Sequence, residues 1–199
     1  MIFNFFKKEH KYAELVFETF GPTLKLIKLQ GKWDEKKSTF GDILISDKYL
    51  LGYIQAHITL FGIKLLKVTD NKDYYNLLHD CFKKIDGTFA FAKFDEMIKN
   101  YGSLYNNKDK ELVQGQADAG MVFNVMFTPG AENVLKTNSI YKEAANYVAS
   151  KDFKNEKDLF SKITLDTDNT PSINNDIAMR IYQNTFVKRL NKVFKVQAK

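Results

Sequence analysis

The most continuous hydrophobic stretch of the chain is LLGYIQAHITLFGIKLL, from Leu50 to Leu66. Its apolar residues recur at intervals of three and four, a spacing that places side chains on one face of an α-helix. This stripe consists of Leu50, Tyr53, Ile54, His57, Ile58, Phe61 and Leu65. We therefore predict a long helix over about 42–67 that is apolar over much of its circumference.

The same period continues through most of the chain, and no Asn-Gly signal between alternating runs indicates a β-hairpin. Only TLKLIKLQG, at 23–31, is equally compatible with a short strand. The predicted helices cover roughly 9–20, 23–30, 42–67, 71–85, 88–105, 109–127, 130–151 and 171–196. The pattern predicts an all-α fold, a compact bundle of seven to eight helices. We expect a single helical domain over 1–199, with 152–170 as the connection to the last helix.

Capping residues mark several of the predicted helix starts. Asp70 precedes the helix at 71–85 and is expected to cap it. Thr128 followed by Pro129 predicts a second start, because proline is tolerated at the first helical position. Thr170 with Pro171, and Gly21 with Pro22, repeat this logic.

Two of the predicted helices, at about 42–67 and 109–127, are apolar enough to be the buried centre of the bundle. The first is not expected to cross a membrane. Its apolar run contains Gln55, His57 and Lys64, and a charged side chain at the centre of a bilayer costs about 2.5 kcal/mol or more. We predict no transmembrane segment.

Polar residues within these two helices are the candidates for a site. His57 lies on the apolar stripe of the first helix, beside Tyr53, while Gln116, Gly120 and Asn124 share one face of the second at a spacing of four. We expect the two helices to face each other, which would bring His57, Gln116 and Asn124 together. Such a cluster could satisfy its own hydrogen bonds, or it could line a pocket for a small ligand. The candidate ligand-binding residues are Tyr53, His57, Gln116, Gly120 and Asn124.

Small residues precede the apolar end of the second helix, at Gly115, Ala117, Ala119 and Gly120. Glycine inside a helix costs about 1 kcal/mol relative to alanine, so something should offset that cost. Either the two helices approach each other closely here, or the missing side chains leave room for a ligand.

Composition places the chain among globular proteins, since 44% of its 199 residues are hydrophobic. A single cysteine excludes an intrachain disulfide, and the opening MIFNFFKKEHK lacks the order of a signal peptide. We therefore expect a cytoplasmic protein. The net charge of +6 comes almost entirely from lysine. Because A/T-rich codon usage, as in many bacteria, also yields lysine and asparagine, the charge alone does not indicate an anionic partner.

Motifs that carry catalytic or metal chemistry were not found. The chain has no H-E-x-x-H, C-x-x-C, G-x-S-x-G or P-loop pattern. The run LDTDN at 165–169 resembles the start of a calcium loop, but Pro171 stands where that loop needs glycine. Cys81 lies on an apolar stripe and is expected to be a buried, unreactive thiol. We predict no metal, no cofactor and no catalytic residue.

The end of the chain is basic, because its last twenty residues contain six basic and no acidic side chains. Lys188, Arg189, Lys192 and Lys195 lie along one side of an amphipathic helix. This side is either a solvated surface or a surface for an acidic protein or a membrane, to which the N-terminal FNFF would add a weak anchor. Nucleic acid is disfavoured, because arginines and exposed aromatic residues for base contacts are not evident.

The sequence therefore favours a small helical binding or interaction protein without catalysis of its own. It would use an internal ligand pocket, or its surface for a protein partner or a second copy. One alternative is an enzyme in which His57 acts as the general base. The other is a peripheral adaptor that binds through the basic C-terminal helix.

Overall fold

The computed structural model describes residues 3–87, 89, 91–150 and 173–196. All regular structure within these ranges is helical, which confirms the all-α prediction, and the number of helices is close to the seven or eight expected. TLKLIKLQG forms helix, not strand. No described helix has the length and apolar character needed to cross a membrane.

The helix bounds follow the predicted pattern, with extra breaks. The elements are α1 Phe3–Glu18, α2 Gly21–Gln30, α3 Phe40–Ser46, α4 Lys48–Leu60, a first π-helical segment Phe61–Leu65, α5 Asn71–Ile85, α6 Phe91–Asn106, α7 Lys110–Phe127, α8 Ala131–Leu135, α9 Ser139–Ala149, α10 Ile173–Tyr182, a second π-helical segment Gln183–Val187, and α11 Lys188–Val193.

The long helix expected at 42–67 is divided into α3 and α4, because Asp47 ends the first and caps the second. Its backbone is extended and its carboxylate accepts a hydrogen bond from the Leu50 amide at 3.0 Å. The helix expected at 130–151 is also divided, since Asn138 caps a new start at α9. Pro129 does not open a helix. The chain turns there, and α8 begins after Gly130, whose positive φ of 79° suits glycine.

Asp70 caps α5 as predicted, accepting hydrogen bonds from the amides of Lys72 and Asp73 at 2.8 and 3.2 Å. The expected connection at 152–170, which contains LDTDN and Thr170, lies outside the described residues, as does Pro171.

The chain divides into two units, Met1–Gly120 with Phe186–Lys199, and Met121–Thr185. A single domain over 1–199 stays a prediction. The second unit buries Tyr141 and Ala144 of α9, and Ile177 and Ile181 of α10. In the same unit, the Arg180 guanidinium of α10 stacks on the Tyr147 ring of α9, 3.6 Å from the ring centre.

Helix α4 is the centre of the first unit. Its residues from Tyr49 to Ile54 are all buried, and so are His57 and Ile58. A helix that is buried over most of its circumference must be surrounded by other elements. The part of the prediction that placed a central helix here is therefore confirmed.

Helix α7 meets α4 through two glycines. A β-carbon on Gly52 would lie 2.3 Å from the carbonyl oxygen of Leu112, and one on Gly115 would lie 2.1 Å from that of Tyr49. Only glycine permits such an approach between two backbones. The prediction that the central helices face each other is confirmed, and close approach explains Gly115. Gly120 differs, because a β-carbon there would have no neighbour within 4 Å.

Candidate functional site

His57 lies in an aromatic part of the core of the first unit. Its side chain is 4% exposed and contacts the rings of Phe61 and Phe20, at centroid distances of 4.4 and 5.4 Å. Its Nε2 lies 2.7 Å from the hydroxyl of Thr19, the residue just after α1. Because that hydroxyl donates its proton to the carbonyl of Val16 at 2.6 Å, the imidazole is the donor to Thr19.

Burial also determines the charge of His57. Removal from water disfavours the charged imidazolium and lowers the pKa of His57 to about 3. The imidazole is therefore neutral throughout the physiological range. A neutral, enclosed ring with its Nε2 bonded to Thr19 stabilises the junction of α1 and α4.

Within the first unit, the structure gives His57 and Gln116 different partners, so these two side chains do not form the expected cluster. Gln116 donates a hydrogen bond to the hydroxyl of Tyr101 on α6. Asn124 is exposed and accepts a bond from Thr128, one turn along, at 3.1 Å. The physical reason is the register of α7: it presents Gly115 to α4, so that Gln116, the next residue, is turned towards α6.

Tyr53 is fully buried and stacks on Phe186 at a centroid distance of 4.4 Å. It therefore belongs to the same aromatic core as His57. A ligand-binding role for Tyr53, His57 and Asn124 stays a prediction.

Gln116 belongs to a different group of half-buried polar side chains, which four helices of the first unit contribute. We name it the tyrosine–amide cluster. It consists of two hydrogen-bonded sets: Gln55 and Thr59 of α4 with Tyr74 of α5, and Tyr101 of α6 with Gln116 of α7. The two sets are related by Tyr74, whose proximity adds to the desolvation that raises the pKa of Tyr101. The Tyr74 hydroxyl lies 2.9 Å from the Gln55 amide nitrogen and 2.6 Å from the Thr59 hydroxyl.

The protons in this cluster can be assigned one by one. Thr59 gives its single hydroxyl proton to the main-chain carbonyl of Gln55 at 2.7 Å. Tyr74 must therefore donate its own proton to the Thr59 hydroxyl, while it accepts a hydrogen bond from the side-chain NH₂ of Gln55. Tyr101 accepts from Gln116, and its own proton has no acceptor within the described ranges. The side-chain carbonyls of Gln55 and Gln116 likewise have no donor there.

The cluster is uncharged. Desolvation, helped by the neighbouring Tyr74 and Tyr105 and opposed by the Gln116 hydrogen bond, raises the pKa of Tyr101 to about 12. Desolvation also raises the pKa of Tyr74, against its hydrogen bonds with Thr59 and Gln55. Both phenols therefore remain protonated near neutral pH. The arrangement can exchange hydrogen bonds with a neutral group, but it offers no charge for an ion.

Of the five members of the cluster, only Gln116 was among the candidate site residues named from the sequence, together with Gly120, which lies beside the cluster. Tyr74 and Tyr101 lie on apolar stripes of their helices, a pattern typical of core residues. The available signal was Gln55 within an apolar run, followed at a spacing of four by Thr59. Gly120 lies one turn beyond Gln116 on the same face of α7, and its open surroundings leave room beside the cluster.

The basic C-terminal helix is less uniform than its sequence indicates. Lys188, Lys192 and Lys195 are exposed, but Arg189 is not part of a free cationic surface. Its guanidinium bonds Asp47 at 2.7 Å and Glu111 at 3.1 Å. Arg189 therefore fixes α11 to the starts of α4 and α7.

The Arg189 guanidinium lies 5.7 Å from the centre of the Tyr49 ring. The Tyr49 hydroxyl donates to the carboxylate of Asp118 at 2.8 Å, and Gln114 donates to the same carboxylate. Desolvation raises the pKa of Asp118, against these two hydrogen bonds. With Arg189, Asp47 and Glu111, these residues form a continuous polar network, which holds three helices together.

Cys81 is fully buried as predicted, and desolvation raises the pKa of its thiol above the ordinary value. Its sulfur approaches the carbonyl of Ala13 at 3.8 Å. In the described part of the chain, no three His, Cys, Asp or Glu side chains are arranged to hold a metal ion.

Comparison with known proteins gives no relative from which a function could be transferred: no family model matches the chain, and neither a curated protein nor a solved structure is significantly similar to it.

Proposed function

We propose that this chain is a helical binding protein whose tyrosine–amide cluster takes a small, uncharged polar ligand. The observation that carries the proposal is two half-buried tyrosine–glutamine hydrogen bonds contributed by four helices, Tyr74 with Gln55 and Tyr101 with Gln116. Tyr74 lies near enough to Tyr101 to add to the desolvation that raises the pKa of Tyr101. Half-buried polar groups that retain unused donors and acceptors are typical of ligand sites in otherwise apolar surroundings.

The chemistry of the cluster defines the ligand class. The Tyr101 hydroxyl can donate, and the carbonyls of Gln55 and Gln116 can accept. A ligand with a donor next to an acceptor, such as a primary amide, would satisfy both. An anion or cation would lose its hydration without meeting an opposite charge, so the cluster should discriminate against it. The space beside Gly120 would admit the rest of the ligand.

The alternative of an enzyme with His57 as general base has less support. A general base works best with a pKa near the working pH, whereas burial lowers the pKa of His57 to about 3. Its Nε2 is already bonded to Thr19. These features favour a structural role for the imidazole.

We propose the cytoplasm as the location, because a single buried thiol suits a reducing compartment. The sequence leaves open a protein partner or a second copy of the chain.

The test uses three probes of nearly the same shape: benzamide, benzoate and benzamidinium, which are neutral, anionic and cationic. Nuclear magnetic resonance titration should show benzamide shifting the side-chain NH₂ signals of Gln55 and Gln116, with millimolar affinity as expected for a fragment. The two ions should bind at least about tenfold more weakly, because their charge is unpaired.

Two variants separate the site from the fold. Tyr101→Phe removes the free donor and should weaken benzamide binding about tenfold, a loss of roughly 1.4 kcal/mol. Tyr105→Phe is its matched control, because Tyr105 is exposed and only stacks on Tyr101. Equal binding of all three probes, or equal effects of the two variants, would refute a neutral-ligand site at this cluster.

A further inference from the structure

A groove of about 500 Å³ opens at the surface of the first unit and is lined by three helices, α1, α2 and α5. Ligand sites commonly have volumes of this order. We name it the charged groove, because its walls combine carboxylates and ammonium groups with apolar side chains. Its lining residues are Glu14, Leu15, Phe17 and Glu18 of α1, Lys25 of α2 and Lys84 of α5.

The Phe17 ring forms the apolar base of the charged groove, and α2 has a glycine against it. A β-carbon on Gly21 would lie 2.4 Å from the Phe17 ring, so a larger residue there would displace the ring. Lys25 follows one turn beyond Gly21 on the same face of α2, and its ammonium lies 5.7 Å from the centre of the ring. Leu15, which is 47% exposed, adds a second apolar side chain to the wall.

Two of the four charges in the groove already pair with each other. The Lys84 ammonium lies 3.5 Å from the Glu14 carboxylate. Glu18 and Lys25 differ, since neither forms an ion pair with the other or with any residue whose side chain the structure describes. The Lys25 ammonium has only the face of the Phe17 ring as its partner there. The groove therefore presents one carboxylate and one ammonium that a ligand can use.

We infer that the charged groove binds a zwitterionic small molecule with an apolar side chain, of the class of leucine and other apolar α-amino acids. The ligand's ammonium binds the Glu18 carboxylate, and its carboxylate binds the Lys25 ammonium. Its side chain lies against Leu15 and Phe17, which offer apolar surface and no side-chain hydrogen bond.

Charge balance favours this class over an ion of one sign. An anion in the groove would meet Lys25 but also two carboxylates, and a cation would meet Glu18 but also two ammonium groups. A molecule that carries both charges close together satisfies Glu18 and Lys25 at once. It also adds no net charge to the groove.

The charged groove is separate from the tyrosine–amide cluster, so the two proposals stand or fall independently. The only helix that contributes to both is α5. On that helix Lys84 comes ten residues after Tyr74, which corresponds to about 15 Å along the axis.

The affinity should be low, because the groove is open and its two unpaired charges are exposed. An ion pair between exposed groups contributes about twofold to fivefold in affinity. Leucine should therefore bind with a dissociation constant in the millimolar range, and binding should weaken as the salt concentration rises.

The experiment is a nuclear magnetic resonance titration of the full, isotope-labelled chain with three molecules that share one side chain. L-Leucine carries both charges, 4-methylpentanoate lacks the ammonium, and isoamylamine lacks the carboxylate. None of them contains an amide, so none has the donor and acceptor pair expected of a ligand for the tyrosine–amide cluster. Leucine should shift the backbone amide signals of Leu15, Glu18 and Lys25, and it should bind about threefold more tightly than either analogue.

Two variants test which charge pairs with which. Glu18→Gln should reduce the affinity for leucine to that for 4-methylpentanoate, without weakening the binding of 4-methylpentanoate itself. Lys25→Gln should reduce it to that for isoamylamine, without weakening the binding of isoamylamine. Both positions are exposed, so circular dichroism should show an unchanged fold. Glu96→Gln and Lys99→Gln are the matched controls on the exposed face of α6, and they should bind leucine like wild type.

Three results would overturn the inference. The first is leucine binding no tighter than that of its two analogues, since the groove would then not recognise a zwitterion. The second is the absence of shifts at Leu15, Glu18 and Lys25 up to the solubility limit of leucine. The third is an affinity for leucine that Glu18→Gln and Lys25→Gln change no more than the controls do.

Discussion

Replacing Gly115 by alanine tests the contact between the two central helices. The new methyl group would lie 2.1 Å from the carbonyl oxygen of Tyr49 and 2.9 Å from the backbone nitrogen of Tyr53. Ordinary contacts of a β-carbon begin near 3.4 Å. Both obstructing atoms are backbone, so no side chain can turn away. Helices α4 and α7 would have to separate by about 1 Å, which weakens the packing around the contact.

The cost follows from two opposing terms. Overpacking a close contact costs about 1–3 kcal/mol, and the upper end applies because the obstruction is backbone. Alanine recovers about 1 kcal/mol of helix propensity. We expect Gly115→Ala to lower the free energy of unfolding by about 2 kcal/mol. Gly120→Ala is the matched control on the same helix, and it should raise stability by up to about 1 kcal/mol because its methyl group meets nothing.

Urea unfolding followed by tryptophan fluorescence provides the assay. The single tryptophan, Trp33, contacts Phe40 and Phe194 at centroid distances of 5.5 and 5.6 Å, so it reports on the first unit. A double-mutant cycle with Gly52→Ala adds a second test, because both glycines serve one contact. Once the helices have separated for one methyl group, the second should cost less than it does alone.

If Gly115→Ala stabilised the chain as much as Gly120→Ala, the two backbones would not be in contact. Strictly additive effects of Gly52→Ala and Gly115→Ala would contradict a shared contact.

The remaining predictions concern single side chains. Because burial holds the pKa of His57 at about 3, below its ordinary 6.5, the unfolded chain takes up this proton first as the pH falls, and stability decreases between about pH 6.5 and pH 3. Between pH 7 and pH 5, the free energy of unfolding measured with urea should therefore fall by about 2 kcal/mol more for wild type than for His57→Phe. Arg189→Ala should destabilise by about 1–3 kcal/mol because it removes the ion pairs with half-buried Asp47 and exposed Glu111, whereas Lys192→Ala should stay within about 0.5 kcal/mol in the same assay. Cys81 should not react with Ellman's reagent until the chain is unfolded, because its thiol is buried and its pKa is raised.

Each of these predictions has a result that contradicts it. Parallel pH profiles for wild type and His57→Phe would mean that the imidazole is solvated. Equal losses for Arg189→Ala and Lys192→Ala would mean that the ion pairs contribute little. Reaction of Cys81 in the native protein at the rate of a free thiol would place it at the surface.

The sequence predicted the features that depend on local pattern. The stripe on α4, the Asp70 cap and the burial of Cys81 all follow from residues within one or two helical turns. The approach at Gly115 was also accessible, because glycine in a helix is costly unless a close neighbour requires it.

Features that depend on distant parts of the chain were missed. The break at Asp47 involves Arg189, which lies 142 residues away, and no local pattern predicts that pairing. The partner of His57 is Thr19, which follows α1. Asn124 was expected to be buried because its neighbours are apolar, yet it is the exposed position of that turn.

The tyrosine–amide cluster illustrates the same limit within the candidate site. A tyrosine on an apolar stripe has the same pattern whether its hydroxyl ends in the core or beside a polar neighbour. Only the packing of α5 and α6 against α4 and α7 brings Tyr74 and Tyr101 to the glutamines.

The contact between α4 and α7 is the basis of the first unit, and one measurement tests it directly. A nuclear Overhauser spectrum of the labelled protein should contain cross-peaks from the α-protons of Gly115 to the amide proton of Tyr53, because these backbones touch. Cross-peaks from Gly115 only to protons of its own helix would contradict the contact and the arrangement of the two central helices.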